Sequence, residues 1–105
     1  MNEVIARYLK AAPENDVAML LGCFTDDAVV RDEGHTYRGK AEIEQWRAAT
    51  AAAFTYTVEV LGGETADDGR ELVHTRLAGT FPGSPVELTF AFRLRGDLIS
   101  ELVAG

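Results

Sequence analysis

The chain has 105 residues, 47% of them apolar, with 17 Asp plus Glu against 10 Lys plus Arg and a net charge of -7. That length is expected to fold as a single domain over residues 1–105 with a real core; disorder is excluded, and nucleic acid and anionic membrane are poor partners for so acidic a surface. The lone cysteine, Cys23, rules out an internal disulfide, and its place in an apolar run reads as a buried structural thiol.

The elements follow from periodicity. Val4, Ile5, Tyr8, Leu9 and Ala12 recur at helical spacing behind the candidate cap Asn2, and Pro13 closes this first helix or begins the next turn. Asn15 or Asp16 caps a second helix running to about Phe24, with Val17, Leu20 and Leu21 on its stripe. Residues 28–33 form a short strand, on which Val30 and Asp32 point one way and Val29 and Arg31 the other. A loop from Gly34 to Gly39 leads into a third helix, from near Lys40 to about Ala52, with Ile43, Trp46 and Ala49 or Thr50 buried. Strands then follow over 54–61, 71–81, 86–95 and 98–103, with a hairpin loop at 62–69 and a tight turn at Pro82–Pro85. On the strand after that turn, Val86, Leu88, Phe90, Phe92 and Leu94 share one face.

This order predicts an α+β fold, three helices packed on a curved, mainly antiparallel sheet that closes into a cone with an apolar pocket inside. Trp46, Phe54, Tyr56, Leu88, Phe90 and Phe92 are the candidates for lining that pocket, and the same pattern serves a plain core. His74 and Arg76 share a face that the alternation places outside, where they can meet a subunit partner; the other reading turns them into the pocket.

Asp32 is the first candidate for chemistry. A carboxylate at the rim of an apolar pocket is poorly hydrated, which raises its pKa and suits it to take a proton from carbon beside a carbonyl; the other reading is a strand-end acid paired with Arg31 or Arg38. Tyr8 can polarise an oxygen or serve as a core aromatic. His35, three residues after Asp32, can share its proton or sit exposed in the loop. No zinc-like spacing joins His35 and His74, and no glycine-rich phosphate loop opens a helix, so neither a metal nor a cofactor is expected. Met1–Val4 lacks the start of a signal peptide and no apolar run approaches the roughly 18 residues of a membrane span, which gives a cytoplasmic expectation.

The stretch Phe24–Asp32, followed by Tyr37-Arg38-Gly39-Lys40-Ala41-Glu42-Ile43 and Trp46, resembles the NTF2-like superfamily, in particular its SnoaL-like and ketosteroid-isomerase-like members. The resemblance spans nearly the whole chain. It implies a general-base aspartate at Asp32 and a hydrogen-bonding tyrosine at Tyr8. The isomerases' second oxyanion donor, a protonated aspartate, corresponds to Phe90, which cannot donate a hydrogen bond. The function implied is a small cofactor-free enzyme of isomerase, cyclase or dehydratase type acting on an apolar carbonyl compound by proton transfer. The alternative is a non-catalytic binder of a small hydrophobic ligand or a dimeric scaffold. A homodimer is expected on the same grounds.

Overall fold

The computed structural model describes residues 1–104. Helix α1 spans Glu3–Glu14, and the Asn2 side chain caps it by accepting the Val4 N–H at 2.9 Å. Val4, Ile5, Tyr8, Leu9 and Ala12 are all buried, as their spacing requires. Pro13 lies inside the last turn, and Asn15 ends the helix in the left-handed region (φ 56°), its N–H bonded back to the Ala11 and Ala12 carbonyls. Asp16 then caps α2 (Val17–Leu21) through the Met19 N–H. This helix stops short of Phe24, because the Cys23 carbonyl already accepts the Ile99 N–H at 2.8 Å and draws the chain into the sheet.

Strand β1 (Phe24–Asp32) is therefore longer than the pattern implied. It turns at Glu33 and Gly34, both at positive φ (52° and 80°), into β2 (His35–Arg38), where a loop was expected. Helix α3 (Gly39–Ala53) follows, and the Glu42 carboxylate in its first turn accepts the Arg38 N–H at 2.8 Å. Strand β3 (Tyr56–Thr65) continues through Gly62 and Gly63, which had read as loop; its register slips by one residue after Val60. Strands β4 (Glu71–Gly79), β5 (Val86–Arg95) and β6 (Leu98–Ala104) complete the chain.

The curved, cone-shaped sheet is not found. The strands lie in one open six-stranded sheet in the order β2-β1-β6-β5-β4-β3. A cone would need its two edges brought together, and here the edges, β2 and β3, do not pair. The sheet is also mixed: β3 to β6 run as the expected antiparallel meander, but β1 joins β6 in parallel. One face carries the helices, with Val30, Phe92, Ile99 and Leu102 buried beneath them beside Ile5, Leu20, Phe24 and Ile43. The other carries Arg31, His74, Arg76, Arg93 and Glu101, with ion pairs between Arg31 and Glu101 and between Arg76 and Glu87. No helix among the described residues is long and apolar enough to cross a membrane.

Candidate active site

A cavity of about 530 Å³ opens between the helices and the sheet. Its walls come from α1, the end of β1, α3 and the sheet. Helix α1 supplies Tyr8, Leu9 and Ala12; the end of β1 and its turn supply Asp32 and Glu33; α3 and the residue after it supply Trp46, Arg47, Thr50 and Phe54; the sheet adds Tyr56, Val58, Leu77, Val86, Leu88 and Phe90. Phe81, Pro82 and Gly83 border it from the turn after β4.

Asp32 is partly buried at the cavity wall. Its Oδ2 accepts the Trp46 Nε1–H at 3.1 Å. Trp46 is itself held by Tyr37, whose ring stacks on it at 5.9 Å between centroids and 27° between planes. The alternative reading, Asp32 paired with Arg31 or Arg38, is not found among the described residues: Arg31 bonds Glu101 on the outer face, and no ion pair joins Asp32 to Arg38. The tight turn at Glu33 and Gly34 fixes where this carboxylate leaves the strand, since two consecutive positive φ values match the twist of the hairpin.

Tyr8 reaches the same cavity from α1. Its ring is clamped edge-on by Phe24 and by Phe92, each at 5.7 Å. Burial pushes the Tyr8 phenol far above its ordinary pKa, against the lowering pull of the Arg47 guanidinium; Tyr56, Asp32 and Cys23 add to the rise. Tyr8 therefore stays a neutral O–H, a donor at any working pH.

The remaining candidates separate clearly. Trp46, Phe54, Tyr56, Leu88 and Phe90 line the cavity, whereas Phe92 is fully buried behind it and supports Tyr8. His35 faces Asp32 across the hairpin ladder but is exposed and does not line the cavity. His74 sits on the outer face, with Nδ1 at 2.9 Å from Thr89 Oγ1 and Nε2 at 3.1 Å from Glu64 Oε1. Cys23 is buried, its thiol donating to the Met19 carbonyl at 3.4 Å, and burial pushes its pKa up. Among the described residues no cluster of three His, Cys, Asp or Glu side chains is placed to hold a metal.

Sequence reasoning passed over Arg47. It is only 5% exposed, and its Nη2 donates to the Ala12 carbonyl at 3.1 Å and to Tyr56 Oη at 2.7 Å. Its guanidinium carbon lies 4.8 Å from the Trp46 ring centroid. The signal was present: Ile43, Trp46, Arg47 and Thr50 occupy positions i, i+3, i+4 and i+7 of one helical stripe, so the arginine had to face inward.

The comparisons with known proteins agree with this architecture. No curated protein matches the chain in sequence. A provisionally assigned polyketide cyclase from Sinorhizobium meliloti is 34% identical, with a TM-score of 0.93 over 100% of this chain and 95% of its own. A Catenulispora acidiphila protein described as having a ketosteroid isomerase-like fold, solved with trimethylamine, is 22% identical, with a TM-score of 0.83 over 98% of this chain and 84% of its own. A Mycobacterium tuberculosis protein solved with estradiol-17β-hemisuccinate is 17% identical, with a TM-score of 0.79 over 96% of this chain and 88% of its own. At those last two identities the likeness is one of fold. The model of the SnoaL-like domain matches residues 5–102, and the chain belongs to that family, within the NTF2-like and ketosteroid-isomerase-like group of folds.

Proposed function

We propose that this protein is a small cofactor-free enzyme that moves a proton on an apolar carbonyl compound, in a reaction of isomerase, cyclase or dehydratase type. The observation that carries the reading is the placing of Asp32 and Tyr8 on one largely apolar cavity, with a single Asp32 oxygen tethered by Trp46. The tether leaves the other oxygen free to accept a proton from carbon beside the carbonyl. The buried Tyr8 hydroxyl donates to the carbonyl oxygen as negative charge develops there. Phe90 makes the sheet wall apolar where an isomerase would place its second donor, so the ligand's body packs against carbon. The hydrophobic guest seen in the mycobacterial structure is of the general kind this cavity would take.

The test is Asp32→Asn assayed against a panel of cyclic enones and polyketide-like substrates. Loss of the base is expected to cost about 10²- to 10⁴-fold in turnover. Unchanged turnover removes Asp32 from the mechanism. Binding without turnover in the unmodified protein, across the whole panel, makes the protein a carrier of hydrophobic ligands.

We also propose a homodimer through the helix-free face of the sheet. Leu72, Ala91 and Val103 lie opposite one another across β4, β5 and β6 there, an apolar row among charged neighbours. Sedimentation showing a monomer at micromolar concentration defeats this.

A further inference from the structure

Arg47 is a buried cation with no acidic side chain beside it among the described residues: no carboxylate lies within ion-pair distance of its guanidinium. Asp32 shares the cavity, yet it is held by Trp46 and makes no ion pair with Arg47. Charges this deep are ordinarily paired, because removing a cation from water costs on the order of several kcal/mol even after relaxation. The local partners are weaker than an anion. The Ala12 carbonyl belongs to the last turn of α1, which carries only a partial negative charge of about one half. The Trp46 and Tyr56 rings, at 4.8 and 6.0 Å, add the attraction of their π faces.

The hydrogen bonds show where an anion would go. Both bonds within the protein come from Nη2, so Nε and Nη1 have no protein partner among the described residues. No fully enclosed side-chain nitrogen or oxygen there is left without a partner, so these two nitrogens are not sealed in the core. Arg47 lines the cavity, the open space beside its guanidinium. Tyr56 Oη accepts from Nη2 at 2.7 Å, which leaves its own O–H to donate, strengthened by the charge behind it.

We propose that Arg47 and Tyr56 form an anion receptor in this cavity, and that the natural ligand is an apolar acid whose carboxylate they hold. The inference rests on the reading of the cavity as a ligand site and deepens it by naming the ligand's charge. Arg47 and Asp32 then give the cavity one fixed positive and one negative wall. An apolar body spans them, its carboxylate on Arg47 and Tyr56 and its reacting carbon turned to Asp32.

The test compares 2-naphthoate with 2-naphthamide, two probes of nearly equal shape of which only the first is an anion at neutral pH. Binding is followed by calorimetry. The unmodified protein is expected to prefer naphthoate by about tenfold to a hundredfold, the range of a hydrogen bond to a charged group. Arg47→Met is expected to erase that preference while keeping naphthamide affinity. Tyr56→Phe, which leaves the Arg47 charge in place, is expected to reduce the preference in part and serves if the Met variant does not fold. Equal affinity for the two probes in the unmodified protein, or a preference that survives Arg47→Met, overturns the receptor and leaves the apolar cavity standing. Binding of neither probe overturns both.

Discussion

Gly79→Ala tests how tightly the sheet positions this cavity. Gly79 pairs with Tyr56 where β3 begins and β4 ends. A Cβ on Gly79 would fall 2.1 Å from the Thr55 carbonyl oxygen and 2.7 Å from both Cα and Cβ of Tyr56. The closest of these are backbone atoms, so no change of rotamer relieves the clash and the ladder must open at this end. Overpacking of that kind costs about 1–3 kcal/mol. Moving Tyr56 also strains its 2.7 Å bond from Arg47, a charged-donor bond of about 1.5–3 kcal/mol. The two effects share one displacement and do not simply add; about 3 kcal/mol is expected in total. For a chain of this size that lowers Tm by roughly 12–24 °C. Gly62→Ala is the control, because nothing lies within 4 Å of the atom it adds, and its stability should stay within about 1 kcal/mol. Urea unfolding and thermal melting read both variants. A Gly79→Ala protein as stable as Gly62→Ala refutes the close approach at Tyr56.

Tyr8→Phe should reduce turnover on a productive enone by about 10²- to 10³-fold, the usual cost of losing an oxyanion donor; a full rate in this variant removes Tyr8 from the mechanism. Trp46→Phe keeps a ring against Tyr37 but removes the N–H that holds Asp32. It should lower kcat by about tenfold or more with a smaller effect on KM, since it misplaces the base while the smaller ring keeps that wall apolar; a change confined to KM contradicts this. Acid stability should depend on Asp27, whose carboxyl the Arg95 hydrogen bond, and then the Thr25 hydroxyl, hold below the usual carboxylate range. A depressed folded pKa adds stability that is present above the unfolded value of about 4 and is lost as pH falls through the depressed value. Asp27→Asn should therefore show a shallower loss of stability than the unmodified protein as pH falls below about 4 in urea melts, and identical slopes would show that the pair does not contribute.

The α1 stripe and the alternation of β5 were legible because each obeys a single period. The same rule applied to β1 put Val30 and Asp32 on one face, and both do face the helices and cavity. The misses have local causes. β2 is only four residues long and lies between Gly34 and Gly39, so its Thr36 and Tyr37 read as part of a loop. Glu33 at positive φ hid the hairpin, because a glutamate seldom takes that conformation. Gly62 and Gly63 read as a turn, yet the hydrogen-bond ladder carries them, and the hairpin closes instead between Thr65 and Glu71. The parallel meeting of β1 with β6 joins segments far apart in sequence, and no local pattern announces it. The open sheet that results could not be read from strand signals alone. Arg47 was left off the buried stripe of its helix, although its spacing from Ile43 placed it inward.

The same Arg47 nitrogen grips both the end of α1 and the Tyr56 hydroxyl. A long side chain moored at two points on different elements has little freedom to swing aside. Visitors to the cavity thus meet a stationary charge, and must bring their own to the right spot. Discrimination among them would turn on where along the molecule that charge is carried, more than on overall bulk, which the surrounding aromatic walls can tolerate within limits.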